Sequence, residues 1–231
     1  MSYFSFKETY VEDGIRVLEV DILPEKHCNF DCIFCPFGRS YEKSDTQKSF
    51  GDIDDSLAEL GRMMECSEVD LVYINSKGEA LFNDRIADVI RFVKEKRRKV
   101  RLLSNGYVLN RPEYSCVASM CDEVIGEIRV GSNEVFQKIH RTVKEYTFEQ
   151  HVMNMKTFRN GYNGRFILEI TILKEYSEDD ESVRVLKKVI EEISPDKVVV
   201  ERSKGKLGIS DERYVQVKDF LLGDYKKTAD F

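Results

Sequence analysis

Three cysteines near the start of the chain have the spacing expected of a metal-binding or redox site. Cys28, Cys32 and Cys35 lie in the segment EKHCNFDCIFCPFG, at spacings of four and three residues. Such thiolates bind zinc, form a redox dithiol or hold an iron–sulfur cluster. A structural zinc site normally needs four ligands, and His27 is poorly placed to be the fourth because it adjoins Cys28. A dithiol of Cys32 and Cys35 leaves Cys28 without a role, whereas three thiolates on a four-iron cluster leave one iron open.

The composition indicates an ordinary globular chain in a reducing compartment. It has 231 residues, of which 42% are hydrophobic, and a net charge of −6. No apolar run reaches the roughly 18–20 residues of a membrane span, and the first ten residues lack the features of a signal peptide. We therefore expect a cytoplasmic protein with no membrane partner, whose cysteines stay reduced. The acidic charge disfavours wholesale electrostatic binding of nucleic acid, and the basic run at 94–99 is expected to be a solvated helix end.

Alternating strands and helices position these cysteines. Short β-branched runs alternate with amphipathic stretches along nearly the whole chain. We predict strands at 15–23, 69–75, 100–106, 123–131, 166–173 and 197–203. We predict helices at 54–65, 84–98 and 112–120, within 133–159, at 179–193 and at 211–225. Strands that are apolar on both faces and separated by helices form a parallel sheet, either open or closed into a full or partial barrel.

Unusual segments follow four of the predicted strands. The cysteine segment follows the first strand, SKGEALFN the second, SNG the third and RVGSNE the fourth. The carboxyl ends of parallel strands lie at one edge of a sheet or barrel, so we expect these segments to meet there. This edge is the predicted active site.

The cysteine segment resembles the signature of a known family. C-x3-C-x2-C in the loop after the first strand, with Phe34 just before the last cysteine, is similar to the motif of the radical S-adenosylmethionine (radical SAM) superfamily. The resemblance implies a [4Fe–4S] cluster ligated by Cys28, Cys32 and Cys35. It also implies S-adenosylmethionine bound at the open iron, with Phe34 packed near its adenine.

The same resemblance specifies the fold more closely than the strand pattern does. It extends from about residue 15 to residue 203. It implies an α/β fold, a six-stranded parallel partial (β/α)6 TIM-like barrel with a short C-terminal helical extension. We therefore expect a single radical SAM core domain over 1–231, with the barrel at about 15–203 and the extension at 204–231.

The segment after the second strand is similar to the part of the superfamily that meets the amino group of S-adenosylmethionine. INSKGEALFN keeps Gly78, Glu79 and Asn83 of the G-x-G-E-P-x-L-N pattern, but has Ser76 for the first glycine and Ala80 for the proline. Carbonyl groups beside a glycine can approach an ammonium closely. We expect Gly78 and Glu79 to contribute acceptors and compensating charge to cofactor binding.

Later motifs supply the remaining candidate residues. LLSNG resembles the T-N-G of the superfamily and places Ser104 and Asn105 towards the cofactor. In RVGSNEVFQKIHR, Arg129 stands where the superfamily often has aspartate. Its expected partner is the methionine carboxylate, an acidic substrate or an acidic residue in a salt bridge. We expect Glu169 to hydrogen-bond the ribose, and His140 to be structural.

The resemblance implies a radical SAM enzyme. Its reduced cluster would cleave S-adenosylmethionine to methionine and a 5′-deoxyadenosyl radical, which would abstract hydrogen from an unidentified substrate. That substrate is a small molecule, or a macromolecule at the open side of the barrel. The expected electron donor is a protein such as flavodoxin or ferredoxin.

Several alternatives stay open at the level of sequence. The motifs are closest in style to small proteins related to the wyosine-forming radical SAM enzymes, so an RNA (tRNA)-modifying enzyme is one alternative and a glycyl-radical-activating enzyme is another. A non-enzymatic alternative is an iron–sulfur electron-transfer protein or a zinc structural protein. The polar stretch 38–52 is long for a connection between strand and helix, which suggests a mobile lid or substrate loop.

Overall fold

A computed structural model describes residues 2–40, 43–143 and 145–223 of the chain. Its strands are β1 (Ser5–Phe6), β2 (Tyr10–Glu12), β3 (Ile15–Asp21), β4 (Leu71–Ile74), β5 (Lys99–Ser104), β6 (Glu123–Ile128), β7 (Arg165–Ile172) and β8 (Lys197–Arg202). Its α-helices are α1 (Asp54–Cys66), α2 (Ile86–Glu95), α3 (Pro112–Ala118), α4 (Asn133–His140), α5 (Phe148–Gly161), α6 (Asp180–Ile193) and α7 (Asp211–Leu222). Short 3-10 turns lie at Ala80–Phe82 and Gly205–Leu207.

Strands β3 to β8 form a parallel sheet in chain order. Each strand pairs in parallel with the next, so that Val17 faces Leu71 at one end of the series and Ile167 faces Lys197 at the other. Among the described strands, β1 and β2 form one edge beside β3, β8 forms the other, and the two edges do not pair with each other. The sheet is therefore open, and the predicted α/β partial barrel is confirmed.

Two short strands at the N-terminus extend this sheet beyond the six strands that the sequence predicts. β1 pairs antiparallel with the end of β3, with Ser5 opposite Asp21, and β2 pairs antiparallel with its beginning, with Tyr10 opposite Val17. Segments of two and three residues are too short to show the alternation by which strands are predicted. The sheet is consequently eight-stranded and mixed. The two residues of β1, Ser5 and Phe6, line the same cavity as the three cysteines.

Helices bury one apolar face each against the sheet. In α2 the fully buried residues recur at helical spacing at Ile86, Val89, Ile90 and Val93. Burying a side chain of this size contributes roughly 1.5–3 kcal/mol, so the amphipathic pattern rather than local propensity holds each helix in place. α7 packs through Val217 and Leu221, which confirms a helical C-terminal extension as far as the described residues reach.

Candidate functional site

A cavity of about 640 Å³ lies at the carboxyl ends of the parallel strands. Its size falls within the roughly 300–1,000 Å³ typical of small-molecule sites. It is lined by seven of the ten predicted site residues: Cys28, Cys32, Phe34, Cys35, Gly78, Asn105 and Arg129. The other three, Glu79, Ser104 and Glu169, do not line it. The topology therefore brings together segments that lie far apart in the sequence.

The cysteine loop is held by the C-terminus of α4. The backbone NH of Asp31 donates to the carbonyl of His140 at 2.9 Å, and that of Ile33 donates to the carbonyl of Ile139 at 2.9 Å. The buried Asp31 carboxylate also accepts the NH of Ser40 at 2.7 Å. These bonds close the loop on itself and satisfy carbonyl groups at the helix end.

Two of the cysteine sulfurs make polar contacts with the protein. The NH of Phe30 points to Cys28 Sγ at 3.4 Å, and His140 Nδ1 lies 3.2 Å from Cys32 Sγ. Burial raises the pKa of Cys28 to about 12 and raises that of Cys32 well above its usual value. Such thiols lose their protons only to a compensating positive charge, which a bound metal supplies.

The donor set fits an iron–sulfur cluster. All three cysteines line one cavity, and thiolates are the ligands that iron–sulfur clusters use. Within residues 2–40, 43–143 and 145–223, no group of three or more His, Cys, Asp or Glu side chains is arranged so that it could hold a single metal ion.

Gly78 allows two backbone segments to approach each other closely. A Cβ at this position would lie 2.2 Å from the carbonyl oxygen of His27, just before the first cysteine. The next residue, Glu79, donates its NH to that same oxygen at 2.9 Å. The glycine is therefore required by contact between the cysteine loop and the segment after β4, whatever ligand the cavity holds.

Glu79 faces the protein rather than the cavity. Its side chain accepts hydrogen bonds from Ser104 Oγ at 3.0 Å, from the NH of Asn105 at 2.9 Å and from the NH of Leu81 at 3.3 Å. The residue is 1% exposed, and burial raises the pKa of its carboxyl to about 7. Glu79 and Ser104 thus fix the turn that presents Asn105 to the cavity.

Arg129 forms a stacked and ion-paired unit beside the cysteines. Its guanidinium lies 4.6 Å from the centroid of the Phe34 ring and forms a salt bridge with Glu127. Glu127, which also lines the cavity, was missed by the sequence analysis. The sequence contained a signal for Glu127, because it lies two positions before Arg129 in the predicted strand and residues two apart on a strand share a face.

Glu169 lies beside Glu127 rather than on the cavity wall. The two residues are paired in register between β6 and β7. Burial, together with the negative charge of Glu127, raises the pKa of Glu169 to about 7.

The stretch 38–52, predicted as a mobile lid or substrate loop and here called the strap, is bonded to the rest of the protein. Lys48 forms a parallel β-bridge with Asn83, and the buried Asp45 carboxylate pairs with Arg111 at 3.0 Å. Contacts of this kind oppose the local opening of a long polar loop. Positions 41 and 42 of this stretch fall outside the described residues.

Comparison with known proteins identifies the family. A sequence model of the Radical SAM superfamily matches residues 22–186, more than half of the chain. The chain belongs to the radical SAM superfamily. It is 25% identical over 183 residues to a protein named GTPase Obg from Brachyspira hyodysenteriae, covering 78% of this chain and 27% of that protein. It is 21% identical over 185 residues to the UPF0026 protein MJ1312 from Methanocaldococcus jannaschii, covering 79% and 58%.

A solved structure shares the fold of this radical SAM chain. "Structure of TYW1 with a lysine-pyruvate adduct bound" superimposes with a TM-score of 0.67 at 12% identity, covering 91% of this chain and 75% of that one. This chain thus spans most of that structure but only 27% and 58% of the two curated relatives.

Membership establishes the class of chemistry. Members of the radical SAM superfamily use a [4Fe–4S] cluster and S-adenosylmethionine, and residues 22–186 of this chain match the superfamily model. Among the described residues, no helix has both the length and the apolar character needed to cross a membrane.

Proposed function

We propose that the chain cleaves S-adenosylmethionine reductively and uses the resulting 5′-deoxyadenosyl radical to abstract hydrogen from a substrate. The observation that carries this proposal is that Cys28, Cys32 and Cys35 line one cavity together with Gly78 and Arg129. When bound, the cluster supplies one electron for cleavage of a carbon–sulfur bond. The protein's part is to orient the reactants and to exclude water and stray hydrogen donors.

Different residues of the cavity ligate the cluster, bind S-adenosylmethionine and position the binding groups. In our proposal, Cys28, Cys32 and Cys35 hold the cluster. The carbonyl groups around Gly78 receive the ammonium of S-adenosylmethionine, and the carboxylate meets Arg129. Glu79 and Ser104 act indirectly, because their hydrogen bonds hold Asn105 at the cavity wall. Phe34 lies under the Arg129 guanidinium and supplies an apolar surface beside the cysteines.

We infer that the reacting part of the substrate binds in the remainder of the cavity. Polar side chains on or near β1, β3, β4, β7 and β8 line that region: Lys7, Glu19, Asn75, Thr171 and Ser203. Glu19 already pairs with Lys7 and accepts from Asn75 Nδ2 at 2.7 Å. Phe6, Phe37 and Leu103 line the same cavity, so the lining supports a substrate with both polar and apolar groups. We also propose that residues 1–231 act as one core domain.

Anaerobic reconstitution tests the proposal. The protein is supplied with iron and sulfide, given S-adenosylmethionine and a strong reductant, and assayed for 5′-deoxyadenosine. Cys35→Ala should lose product formation. Cys116→Ala is the matched control, because Cys116 is exposed and does not line the cavity. An intact four-iron cluster without any product would contradict the proposal, and so would equal product from wild type and Cys35→Ala.

A further inference from the structure

His140 has the geometry of a hydrogen-bond donor to one cysteine ligand. Its Nδ1 lies 3.2 Å from Cys32 Sγ, and the two residues are 108 positions apart in the sequence. We propose that His140 donates an N–H···S hydrogen bond to the Cys32 thiolate and thereby raises the reduction potential of the cluster. This inference rests on the proposed ligation of the cluster by Cys32.

The position of the imidazole is fixed from several sides. Its own backbone carbonyl accepts the NH of Asp31, so the cysteine loop and the end of α4 move together. Its ring packs against Phe30 and Phe136, with centroid separations of 4.9 and 4.8 Å, and the residue is 4% exposed. A ring held in this way keeps its nitrogen at the sulfur without further loss of side-chain freedom.

The donor atom is identified from the hydrogen-bonding capacity of the two ring nitrogens and of the Cys32 sulfur. A histidine ring always carries at least one N–H, on Nδ1 or on Nε2. Nε2 is buried and has no hydrogen-bond partner within the described part of the chain. A ligating thiolate has only acceptor capacity, so the proton is most favourable on Nδ1, where it meets the sulfur.

A hydrogen bond to a ligating sulfur acts on the redox equilibrium. Reduction adds negative charge to the cluster and its thiolates, and a donor at the sulfur stabilises that charge. Loss of the donor should therefore lower the midpoint potential. The effect should be specific to Cys32, because Cys28 receives the backbone NH of Phe30, which no side-chain substitution removes.

Redox titration of the reconstituted cluster, followed by EPR without S-adenosylmethionine or substrate, tests the inference. His140→Leu keeps an apolar side chain but removes the donor, so its ratio of reduced to oxidised cluster should fall severalfold at the wild-type midpoint. A tenfold fall corresponds to about 59 mV for a one-electron couple. His140→Asn carries an amide donor near the position of Nδ1 and should restore most of the wild-type ratio. Phe136→Leu loosens the packing around the ring while keeping the donor, and should leave the ratio unchanged.

A second measurement uses the wild type. With ¹⁵N-labelled histidine, pulsed EPR of the reduced cluster should show a ¹⁵N coupling that disappears in His140→Asn. This keeps the inference testable if His140→Leu fails to assemble a cluster. An unchanged potential in His140→Leu, an equal shift in Phe136→Leu, or no ¹⁵N coupling in the wild type would each overturn it.

These measurements, combined with the assay for 5′-deoxyadenosine, separate the two proposals. A normal cluster with the expected potentials but no cleavage of S-adenosylmethionine would contradict the proposed function alone. Failure of the wild type to assemble any cluster would overturn both.

Discussion

Replacing Glu79 with glutamine tests whether the raised pKa of this buried carboxyl makes the stability of the protein depend on pH. The residue is 1% exposed, and burial raises the pKa of its carboxyl from its ordinary value of 4.5 to about 7. Between these values the folded protein holds the proton more tightly than the unfolded chain. The resulting stabilisation is full below pH 4.5 and is lost as the pH rises through about 7. The two pKa values differ by an amount that corresponds to roughly 3 kcal/mol.

Glutamine does not titrate, so Glu79→Gln should remove this part of the pH dependence. Its amide oxygen can still accept from Ser104 Oγ and the NH of Asn105, whereas the NH of Leu81 loses its carboxylate partner. We would measure urea unfolding of the metal-free wild type and variant at pH 5 and pH 8. Over this interval, the wild type should lose roughly 2–3 kcal/mol more stability than the variant.

The comparison between the two proteins removes the contributions of other buried groups. Glu169 also has a raised pKa, while His140 and His151 have lowered ones, and all three are present in both proteins. Equal urea m-values would show that the unfolded states expose similar surface. Parallel stability profiles for wild type and Glu79→Gln would refute the reasoning, because they would mean that the carboxyl titrates alike in the folded and unfolded chains.

Three further substitutions test other parts of the structure. Gly78→Ala places a Cβ 2.2 Å from a backbone oxygen of the cysteine loop, so equilibrium dialysis on the reconstituted enzyme should show weaker S-adenosylmethionine binding; Gly161→Ala, with no atom within 4 Å of its Cβ, is the control. Asp45→Ala breaks the buried pair with Arg111 and should lower the free energy of unfolding by roughly 2 kcal/mol; an unchanged urea midpoint would show that the strap is not tethered there. Cys32→Ala should fail to assemble a cluster while keeping the wild-type circular dichroism spectrum in metal-free buffer, and unfolding of this variant would indicate a structural metal instead.

The main elements of the fold were predictable because their patterns are local. The strand at Arg165–Ile172 is a run of apolar and β-branched residues, and the helix at Asp180–Ile193 repeats apolar residues at helical spacing. The strands at Ser5–Phe6 and Tyr10–Glu12 were not predictable in this way. They exist because the edge of β3 offers unpaired backbone groups, and two or three residues carry no period of their own.

The site was predictable to the extent that strand ends determine it. Cys28, Gly78, Asn105 and Arg129 follow four different strands, and a parallel sheet necessarily places those ends at one edge. The direction of an individual side chain is a different matter. Glu79 lies next to Gly78 in the sequence, but it turns into the protein because three donors are gathered there.

The sequence by itself determined the class of this protein. Three cysteines at fixed spacing, placed after the first strand of a strand–helix series, form a motif that is visible without any tertiary contact. Only the tertiary structure decided what surrounds them. The approach of His140 to Cys32 joins residues 108 positions apart, and the Asp45–Arg111 pair tethers the strap. Such contacts depend on how helices and loops pack after the sheet has formed, and no period or motif in the sequence encodes that packing.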